Sequence, residues 1–399
     1  MIKSDFEYPL PEHRIATHPL EQRDASKLLQ FKQSVISDYS FRDLPALLPP
    51  SSQLIFNNTR VVRARLHFVK TAGAKPIEIF CLGPHKQSVE DAMNSLGQVK
   101  FECLVGNLKR WKDHPLSLEL DGGITLHAEK IERDGAYWVI AFHWNGSATF
   151  AQVLEIAGKI PLPPYMNRDA GEEDTERYQT VYAQNNGSVA APTAGLHFTE
   201  RVFQDLNASR HEILELTLHV GAGTFKPLGE GDIKNHQMHA EEIIVSRQWL
   251  EGYLAHEGPK FAVGTTSLRS LESCHWMGAK LLGGGSFESL GQFDAYELPQ
   301  HFSPRQTFQA LLDYLHANGL TSIAAHTQLM IKPGYTFKTV QGIITNFHQP
   351  GSTLLLLVSA GVGDQWKKIY NHALANDYRF LSYGDSSLLY FEDMNNTLD

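Results

Sequence analysis

Short runs in which apolar and polar residues alternate recur between residues 61 and 144 of the chain. Alternation with a period of two is typical of strands that bury one face, and turn-forming residues bound each run. The runs cover residues 61–66, 76–80, 99–104, 124–127 and 136–140. Because these segments are short and follow one another closely, the pattern predicts a small β-barrel.

The segments on either side of this region have a different pattern. Apolar runs at 260–264 and 340–344 each lead through small residues into a segment with helical spacing, which is typical of buried strands in an α/β sheet. We therefore predict an α/β sandwich as the main domain, interrupted by an inserted β-barrel. The predicted main domain comprises residues 1–60 and 146–399, and the predicted insertion comprises residues 61–145.

One predicted helix has signals at both ends. Ser303 is a suitable N-cap, Pro304 fits the first turn, and Gly319 follows the last apolar position. Apolar residues recur between them at 308, 311, 312 and 315, on one side of a helix. We expect this helix to have a structural role.

Composition places the chain among folded globular proteins, with 399 residues, 42% hydrophobic and 20% charged. The longest apolar stretch, residues 354–362, is about half as long as a membrane span requires, so we expect no membrane partner. The N-terminal residues lack the apolar run of a secretory signal, which predicts a cytoplasmic location. The three cysteines form no Cys-x-x-Cys pair and favour neither disulfides nor a zinc site.

Net charge restricts the kind of surface that nucleic acid could use. With 35 basic and 44 acidic residues, the formal charge is −9, and the field of the whole molecule repels phosphate. A nucleic-acid partner therefore requires a local basic surface. Arg60, Arg63 and Arg65, at the start of the predicted barrel, are the candidates.

Two loops combine small residues with a histidine. His197 lies in the segment 191–199, just before a predicted helix at Thr199, where main-chain N–H groups can approach a polar ligand. His219 lies near the end of a predicted strand and is followed by Gly221 and Gly223, where α/β sheets often bind ligands. The alternatives are a tight turn for the first loop and a simple bend for the second.

His236, His239 and Glu241 suggest a metal site at first sight. The two histidines are three residues apart, however, whereas the metalloprotease helix needs four, and no suitable third ligand follows. We therefore expect no metal and interpret the histidines as structural or as substrate contacts.

Two further loops follow predicted strands. Gly264, Thr265 and Thr266 begin a helix, where unpaired N–H groups favour a carboxylate or phosphate, although we expect one hydroxyl of this turn to cap the helix. Asn346 and His348 lie in a loop that leads to a helix near residue 352, and His348 is the third candidate proton carrier. Such loops, each beside a strand or helix end, predict one composite pocket.

Nine segments of the chain match the motifs of a known protein family, and several of them are long and independent of composition. The segments are residues 4–6, 23–26, 57–61, 177–183, 191–199, 216–225, 263–269, 333–335 and 345–357. In these segments, which span nearly the whole chain, the sequence resembles the S-adenosylmethionine:tRNA ribosyltransferase-isomerase family of the queuosine pathway. The resemblance implies an α/β domain with an inserted β-barrel, S-adenosylmethionine as cosubstrate, tRNA as partner and no metal.

The implied reaction transfers the ribosyl part of S-adenosylmethionine to the 7-aminomethyl-7-deazaguanine at the tRNA wobble position and isomerises it. The product is epoxyqueuosine, and adenine and methionine leave. A base must remove a proton beside the sulfonium, and adenine departure needs a proton donor or strong polar contacts. The candidate catalytic groups are His197, His219 and His348, because imidazoles that titrate near neutrality suit these steps.

The resemblance also suggests which residues bind the cosubstrate. We expect the turn at Gly264, Thr265 and Thr266 to hold the methionine carboxylate and Glu241 to face the sulfonium. The remaining cosubstrate-binding candidates are Gly221, Gly223 and Asn346.

The chain departs from the family pattern in three places. Many members carry Leu and Lys in place of Gln349 and Gly351, and a tyrosine usually precedes the proline at 333. The segment between Glu272 and Thr327 is longer than usual, and we expect it to cover the pocket.

Two other functions remain compatible with the residues. A nucleoside-type small-molecule transferase that uses no RNA would suit the negative charge. Measuring adenine release with and without tRNA distinguishes it from the tRNA-modifying enzyme that the resemblance implies. A non-catalytic RNA-binding module would use the insertion to hold phosphates, but the loops with proton-carrying groups argue against it.

Overall fold

The computed structural model describes residues 1–69, 75–112, 114–135, 137–221, 229 and 231–391. Its strands are Lys27–Lys32 (β1), Val35–Ser40 (β2), Gln53–Asn57 (β3), Thr59–Val61 (β4), Arg65–Phe68 (β5), Ile77–Pro84 (β6), Gln98–Gly106 (β7), Leu116–Leu120 (β8), Ile124–Asp134 (β9), Tyr137–Trp144 (β10), Gly158–Lys159 (β11), Asn185–Ser188 (β12), Glu212–Leu218 (β13), Glu241–Ser246 (β14), Lys260–Val263 (β15), Ser289–Leu290 (β16), Ser322–Thr327 (β17), Gly342–Asn346 (β18) and Ser386–Tyr390 (β19).

The α-helices in the described residues are Leu44–Leu47 (α1), Val89–Asn94 (α2), Phe150–Ala157 (α3), Glu172–Arg177 (α4), Glu200–Ala208 (α5), Arg247–Ala255 (α6), Thr265–Leu282 (α7), Asp294–Glu297 (α8), Pro304–Ala317 (α9), Thr353–Val362 (α10) and Gln365–Ala375 (α11). None of them has the length and apolar character that crossing a bilayer requires.

The main sheet has the strand order β16-β17-β14-β13-β3-β15-β18-β19-β1-β2. Its four central strands, β13, β3, β15 and β18, run parallel to one another. The carboxyl ends of these four strands therefore lie at the same edge of the sheet, which is where open α/β sheets bind ligands.

Both faces of the main sheet are buried. On β3, Ile55 packs in one core while Leu54 and Phe56 pack in the other, and Ala262 and Val263 of β15 divide in the same way. Helices α6, α7, α9, α10 and α11 contribute to the first core, and α1 and α5 to the second. This arrangement explains why the central strands have continuous apolar runs in the sequence.

The second sheet has the order β11-β5-β6-β7-β10-β9-β8, and every neighbouring pair is antiparallel. It curls so that β5 and β8 approach each other, but no ladder joins β8 to β5 or to the edge strand β11 among the described residues. The predicted α/β fold with an inserted barrel-like sheet is therefore confirmed, as a half-barrel.

The core of this second sheet extends past residue 145. Phe150, Val153 and Leu154 of α3 pack against the sheet, and β11 pairs with β5. The proposed boundaries at residues 61 and 145 remain a prediction, and these contacts show that residues just after 145 also pack on the sheet.

Several local predictions are confirmed. α9 begins after Ser303, whose side chain accepts a hydrogen bond from the Gln306 N–H, and its apolar side is buried. The segment between residues 272 and 327 forms the rest of α7 together with β16, α8, α9 and most of β17. None of its residues lines the cleft described next, so the expectation that it covers the pocket is wrong.

Candidate functional site

A cleft, which we call the central cleft, opens at the carboxyl ends of β15 and β18 and encloses about 950 Å³, part of it open to solvent. Residues from several separate parts of the sequence surround it. The lining residues are Pro164, Tyr165, Tyr178, Ala190, Ala191, Pro192, Thr193, Ala194, Val220, Gly264, Thr265, Thr266, Thr345, Asn346, Phe347, His348, Gln349, Ser352, Leu354, Leu381 and Ser382.

The first turn of α7 forms one wall of the central cleft. Gly264 is the N-cap and has a φ of 87°, a backbone conformation that other residues rarely adopt. No side chain caps this helix, so the expectation of a capping hydroxyl is wrong; the Ser267 hydroxyl donates instead to the Val263 carbonyl. The first N–H groups of the helix, at Thr265 and Thr266, thus face the cleft without a capping side chain.

Asn346, at the end of β18, joins the central cleft to His197. Its amide nitrogen donates to His197 Nε2 at 3.1 Å and to the Leu381 carbonyl at 3.1 Å. Because Nε2 accepts, the imidazole proton lies on Nδ1, which donates to Ser26 Oγ at 2.8 Å. Asn346 Oδ1 is buried and has no hydrogen-bond partner among the described residues.

His348 lines the central cleft, and its surroundings hold it in place. Nε2 lies 3.0 Å from Thr345 Oγ1, while the main-chain N–H donates to the Tyr370 hydroxyl and the carbonyl accepts from Tyr8. No described residue forms a hydrogen bond with Nδ1, and this atom is not one of the fully buried polar atoms that lack a hydrogen-bond partner. His348 can therefore offer one ring nitrogen to a ligand.

His219 is buried behind the lining rather than in it. Its Nδ1 lies 3.0 Å from Thr59 Oγ1, and a side chain at Gly187 would clash with the ring. Gly221 lies near His239, because a Cβ at position 221 would approach that ring at 3.6 Å. Gly223 lies outside the described residues.

The three candidate histidines do not titrate near neutrality, contrary to expectation. Burial lowers the pKa of His348 to about 3 and that of His219 to about 4. The pKa of His197 is lowered to about 3, mainly by burial and then by the positive charge of Arg379. All three are thus neutral at pH 7 in the ligand-free chain, so they can accept a proton but do not carry a positive charge.

A second cleft, the histidine cleft, lies on the other side of the α7 N-terminus and shares Thr265, Thr266 and Leu354 with the first. Its residues are His236, Met238, His239, Glu241, Thr265, Thr266, Arg269, Leu329, Met330, Ile331, Thr353, Leu354 and Leu357. The Glu241 carboxylate forms an ion pair with Arg269 and lies 3.0 Å from His239 Nε2. The charge of Glu241 is therefore balanced within the protein, and Arg269 Nε is buried without a hydrogen-bond partner.

The histidine cleft brings together the residues that suggested a metal in the sequence. His239 contacts Glu241, while the His236 carbonyl accepts from Gln292. Within the described part of the chain, no three His, Cys, Asp or Glu side chains are grouped as metal ligands.

A third cleft, the arginine cleft, lies beside His197 and has a volume of about 290 Å³, part of it open to solvent. It is lined by Pro19, Leu20, Arg23, Ser26, Arg177, Leu196, His197, Arg379, Ser382, Tyr383 and Gly384. Arg23 and Arg177 lie in segments that carried the family resemblance, yet the sequence did not indicate a role for them; Arg379 had no signal at all. These arginines are the functional candidates that the sequence reasoning missed.

The three arginines at the start of the insertion are not grouped as a free basic surface. Arg63 pairs with Glu155 and Arg65 with Glu78, both at 2.8 Å. Arg60 is exposed and has no ion pair among the described residues. The positive charge that the sequence suggested is therefore largely balanced, except at Arg60.

Comparison with known proteins identifies the relatives of the chain. A family model described as queuosine biosynthesis protein matches residues 3–389. The S-adenosylmethionine:tRNA ribosyltransferase-isomerase of Francisella philomiragia is 39% identical over 398 residues, and that of Francisella tularensis subsp. mediasiatica is 38% identical; each match covers 98% of this chain and 100% of the relative. A crystal structure of S-adenosylmethionine tRNA ribosyltransferase from Thermotoga maritima matches 96% of this chain and 99% of its own at 24% identity, with a TM-score of 0.47.

Proposed function

The chain belongs to the queuosine biosynthesis family of S-adenosylmethionine:tRNA ribosyltransferase-isomerases, and from this we propose the reaction that it catalyses. The ribosyl moiety of S-adenosylmethionine is transferred to the 7-aminomethyl-7-deazaguanine at the wobble position of tRNA and isomerised, which yields epoxyqueuosine. Adenine and methionine leave. The observation that carries the proposal is the wall of the central cleft, where free helix N–H groups and the unpaired Asn346 Oδ1 lie together.

The two connected clefts suit the two ends of the cosubstrate. We place the methionine carboxylate at the N–H groups of Thr265 and Thr266, where the helix dipole favours an anion. Arg269 lines the histidine cleft, and although Glu241 balances its charge, its buried Nε has no hydrogen-bond partner. Glu241 remains our candidate for facing the sulfonium, although Arg269 offsets much of its charge.

The nucleoside end lies in the central cleft in this proposal. Asn346 Oδ1 accepts a hydrogen bond from a ligand N–H or O–H, because no group in the described chain satisfies it. Gly221 lies close to the histidine cleft, where a small residue leaves space for the ligand. Gly223 remains a cosubstrate-binding candidate on sequence grounds alone.

The neutral histidines restrict the proton chemistry that the site can perform. A neutral imidazole can remove a proton, and His348 presents Nδ1 toward the cleft for this purpose. His197 is held by Ser26 and Asn346 through both nitrogens, so its role is to orient Asn346 unless a ligand displaces one contact. His219 lines none of the three clefts and contacts Thr59, so it remains a catalytic candidate on sequence grounds.

The experiment that tests this function uses tRNA that carries the aminomethyl-deazaguanine precursor. Incubation with S-adenosylmethionine, digestion of the tRNA and mass analysis of the nucleosides should detect epoxyqueuosine, together with free adenine and methionine. Adenine release in the absence of any tRNA would favour a small-molecule nucleoside transferase instead. Binding of tRNA without adenine release would favour a non-catalytic module.

A further inference from the structure

The arginine cleft collects positive charge from three distant parts of the chain, at Arg23, Arg177 and Arg379. All three side chains are half-buried. None of them forms an ion pair with a carboxylate in the residues that the structure describes, in a protein whose net charge is −9. Placing three half-buried positive charges close together without ion-pair partners costs free energy, and a bound anion would reduce that cost.

Main-chain carbonyls hold the three guanidinium groups in position. Arg23 donates to the Gln179 and Glu176 carbonyls, at 2.6 and 2.9 Å. Arg379 donates to the Tyr383 carbonyl at 2.8 Å and more weakly to that of His18. Carbonyl groups orient an arginine but carry no net charge, so these hydrogen bonds leave the positive charge available to a ligand.

Arg177 adds an unsatisfied donor to the same cleft. One of its terminal nitrogens donates to the Leu20 carbonyl, whereas its Nε is buried without a hydrogen-bond partner. Burial, followed by the charge of Arg177, lowers the pKa of Arg23, which is consistent with two like charges close together. Glu176 and Asp385 lie near enough to offset part of this charge, but neither contacts a guanidinium as an ion pair.

The arginine cleft adjoins the central cleft. Ser382 lines both, and His197, in the wall of the arginine cleft, bonds to Asn346 in the wall of the central cleft. A substrate whose reacting nucleotide enters the central cleft would therefore place neighbouring backbone groups within reach of the arginines.

We propose that the arginine cleft binds a phosphodiester group of the RNA substrate beside the nucleotide that reacts. Guanidinium groups match the geometry of phosphate oxygens, and interactions with backbone phosphates fix the register of a nucleic acid on a protein. The inference rests on the proposed function. The cosubstrate carboxylate is a poorer candidate, because our proposal places it at α7, which contributes no residue to the arginine cleft.

The test compares the affinity for precursor-containing tRNA across a series of salt concentrations in the unsubstituted chain and in the double variant Arg23→Gln/Arg379→Gln. We expect the double variant to bind tRNA about tenfold more weakly and the log–log salt slope to fall by about 0.7 for each phosphate that the protein no longer neutralises. Affinity for S-adenosylmethionine should not change. Arg305→Gln is the matched control, since Arg305 is exposed on α9 and lines none of the three clefts.

A second variant separates ligand binding from a purely structural role. Arg23→Lys/Arg379→Lys retains the charge and should recover most of the salt slope. If the lysine variant instead behaves like the glutamine variant, and both lose thermal stability and affinity for S-adenosylmethionine, the arginines are clamps between loops and the proposal is overturned.

The remaining outcomes distinguish this inference from the proposed function. Normal tRNA binding with an unchanged salt slope in the glutamine variant overturns the phosphodiester site and leaves the proposed function intact. If inorganic phosphate stabilises the unsubstituted chain but substitution of the arginines leaves tRNA affinity unchanged, the cleft binds a free anion. That result also overturns the phosphodiester site. Failure of the unsubstituted chain to bind tRNA or release adenine overturns both.

Discussion

Buried imidazoles are the residues whose chemistry depends most on their surroundings in this protein. His348 and His197 lie in or beside the central cleft, and both are neutral at pH 7 because burial lowers their pKa values to about 3. His275 lines none of the three clefts, yet its pKa is also lowered to about 3, mainly by burial. The positive charge of Lys338 lowers the pKa of His275 further, so His275 shows what burial and a nearby cation do to a histidine here.

The pH dependence of stability provides a test of this burial at His275. Nδ1 bonds to Thr307 at 3.0 Å, while Nε2 is buried without an acceptor for a second proton. The folded-state pKa is below the unfolded value of about 6.5, so the unfolded state binds more protons between about pH 6.5 and 3, and the free energy of unfolding falls as the pH falls through that range. Between about pH 7 and pH 5, protonation of this single group in the unfolded state should lower the free energy of unfolding by about 2 kcal/mol.

Urea denaturation of His275→Gln and of the unsubstituted chain at these two pH values measures the effect. The variant should lose about 2 kcal/mol less on acidification, whereas His326→Gln, at an exposed position on β17, should behave like the parent. Equal losses in all three proteins would contradict a neutral His275.

A role for His219 in catalysis predicts a large effect of its removal. His219→Ala should lower the single-turnover rate by about a hundredfold while thermal stability changes little, as expected when a group that moves or positions a proton is removed. His326→Ala serves as the exposed control. An unchanged single-turnover rate would restrict His219 to packing beside Thr59.

The α7 helix shows how a single element connects two clefts. Its N-cap is a glycine with positive φ, its first residues lack a capping side chain, and Thr265 and Thr266 line both clefts. Because nothing in the described chain caps these N–H groups, an anionic ligand can take that place.

Removal of one hydroxyl from this turn should affect the cosubstrate selectively. Thr266→Val retains the shape of the side chain but removes a hydrogen bond, and we expect affinity for S-adenosylmethionine to fall roughly tenfold while tRNA affinity stays near normal. Isothermal titration with each ligand measures both, and Thr321→Val, at an exposed position, is the control. The reverse result, weaker tRNA binding with normal cosubstrate binding, would make this turn a phosphate site.

At the scale of the whole molecule, the distribution of ion pairs decides which basic residues can meet RNA. The chain is acidic, and Arg63 and Arg65 near the insertion are paired with carboxylates. The arginines of the arginine cleft have no carboxylate partner in the described chain, and neither does Arg60, which adjoins Thr59 and through it the His219 ring. Arg60 and the arginines of the arginine cleft are therefore better candidates for contact with RNA than Arg63 and Arg65, whose charges are already balanced.

Salt dependence can test this distribution at two neighbouring residues. Arg60→Gln should reduce the log–log salt slope of tRNA binding by about one unit if Arg60 neutralises one phosphate, because it has no carboxylate partner in the described chain. Arg65→Gln should leave the slope nearly unchanged, since Arg65 is paired with Glu78. If both variants reduce the slope equally, the ion pair at Arg65 opens on binding and the insertion contacts tRNA directly.

The sequence by itself determined the local structure and the family. Periodicity indicated several strands of each sheet, and the starts of α5, α9 and α10 were predicted near Thr199, Ser303 and Ser352, with Ser303 as the N-cap. Long motifs carried the family resemblance. These features depend on interactions between residues close in the chain, and local propensity and pattern are enough to predict them.

Only the tertiary structure decided which polar groups act together. Periodicity cannot indicate that Arg269 balances Glu241 or that burial makes His348 neutral, because both depend on neighbours brought in by other elements. Arg177 lies 154 residues after Arg23, and Arg379 a further 202 residues on, so no local pattern could place them around one cleft. Charge balance and desolvation depend on three-dimensional proximity, and for that reason the chemistry of the site was decided by the fold.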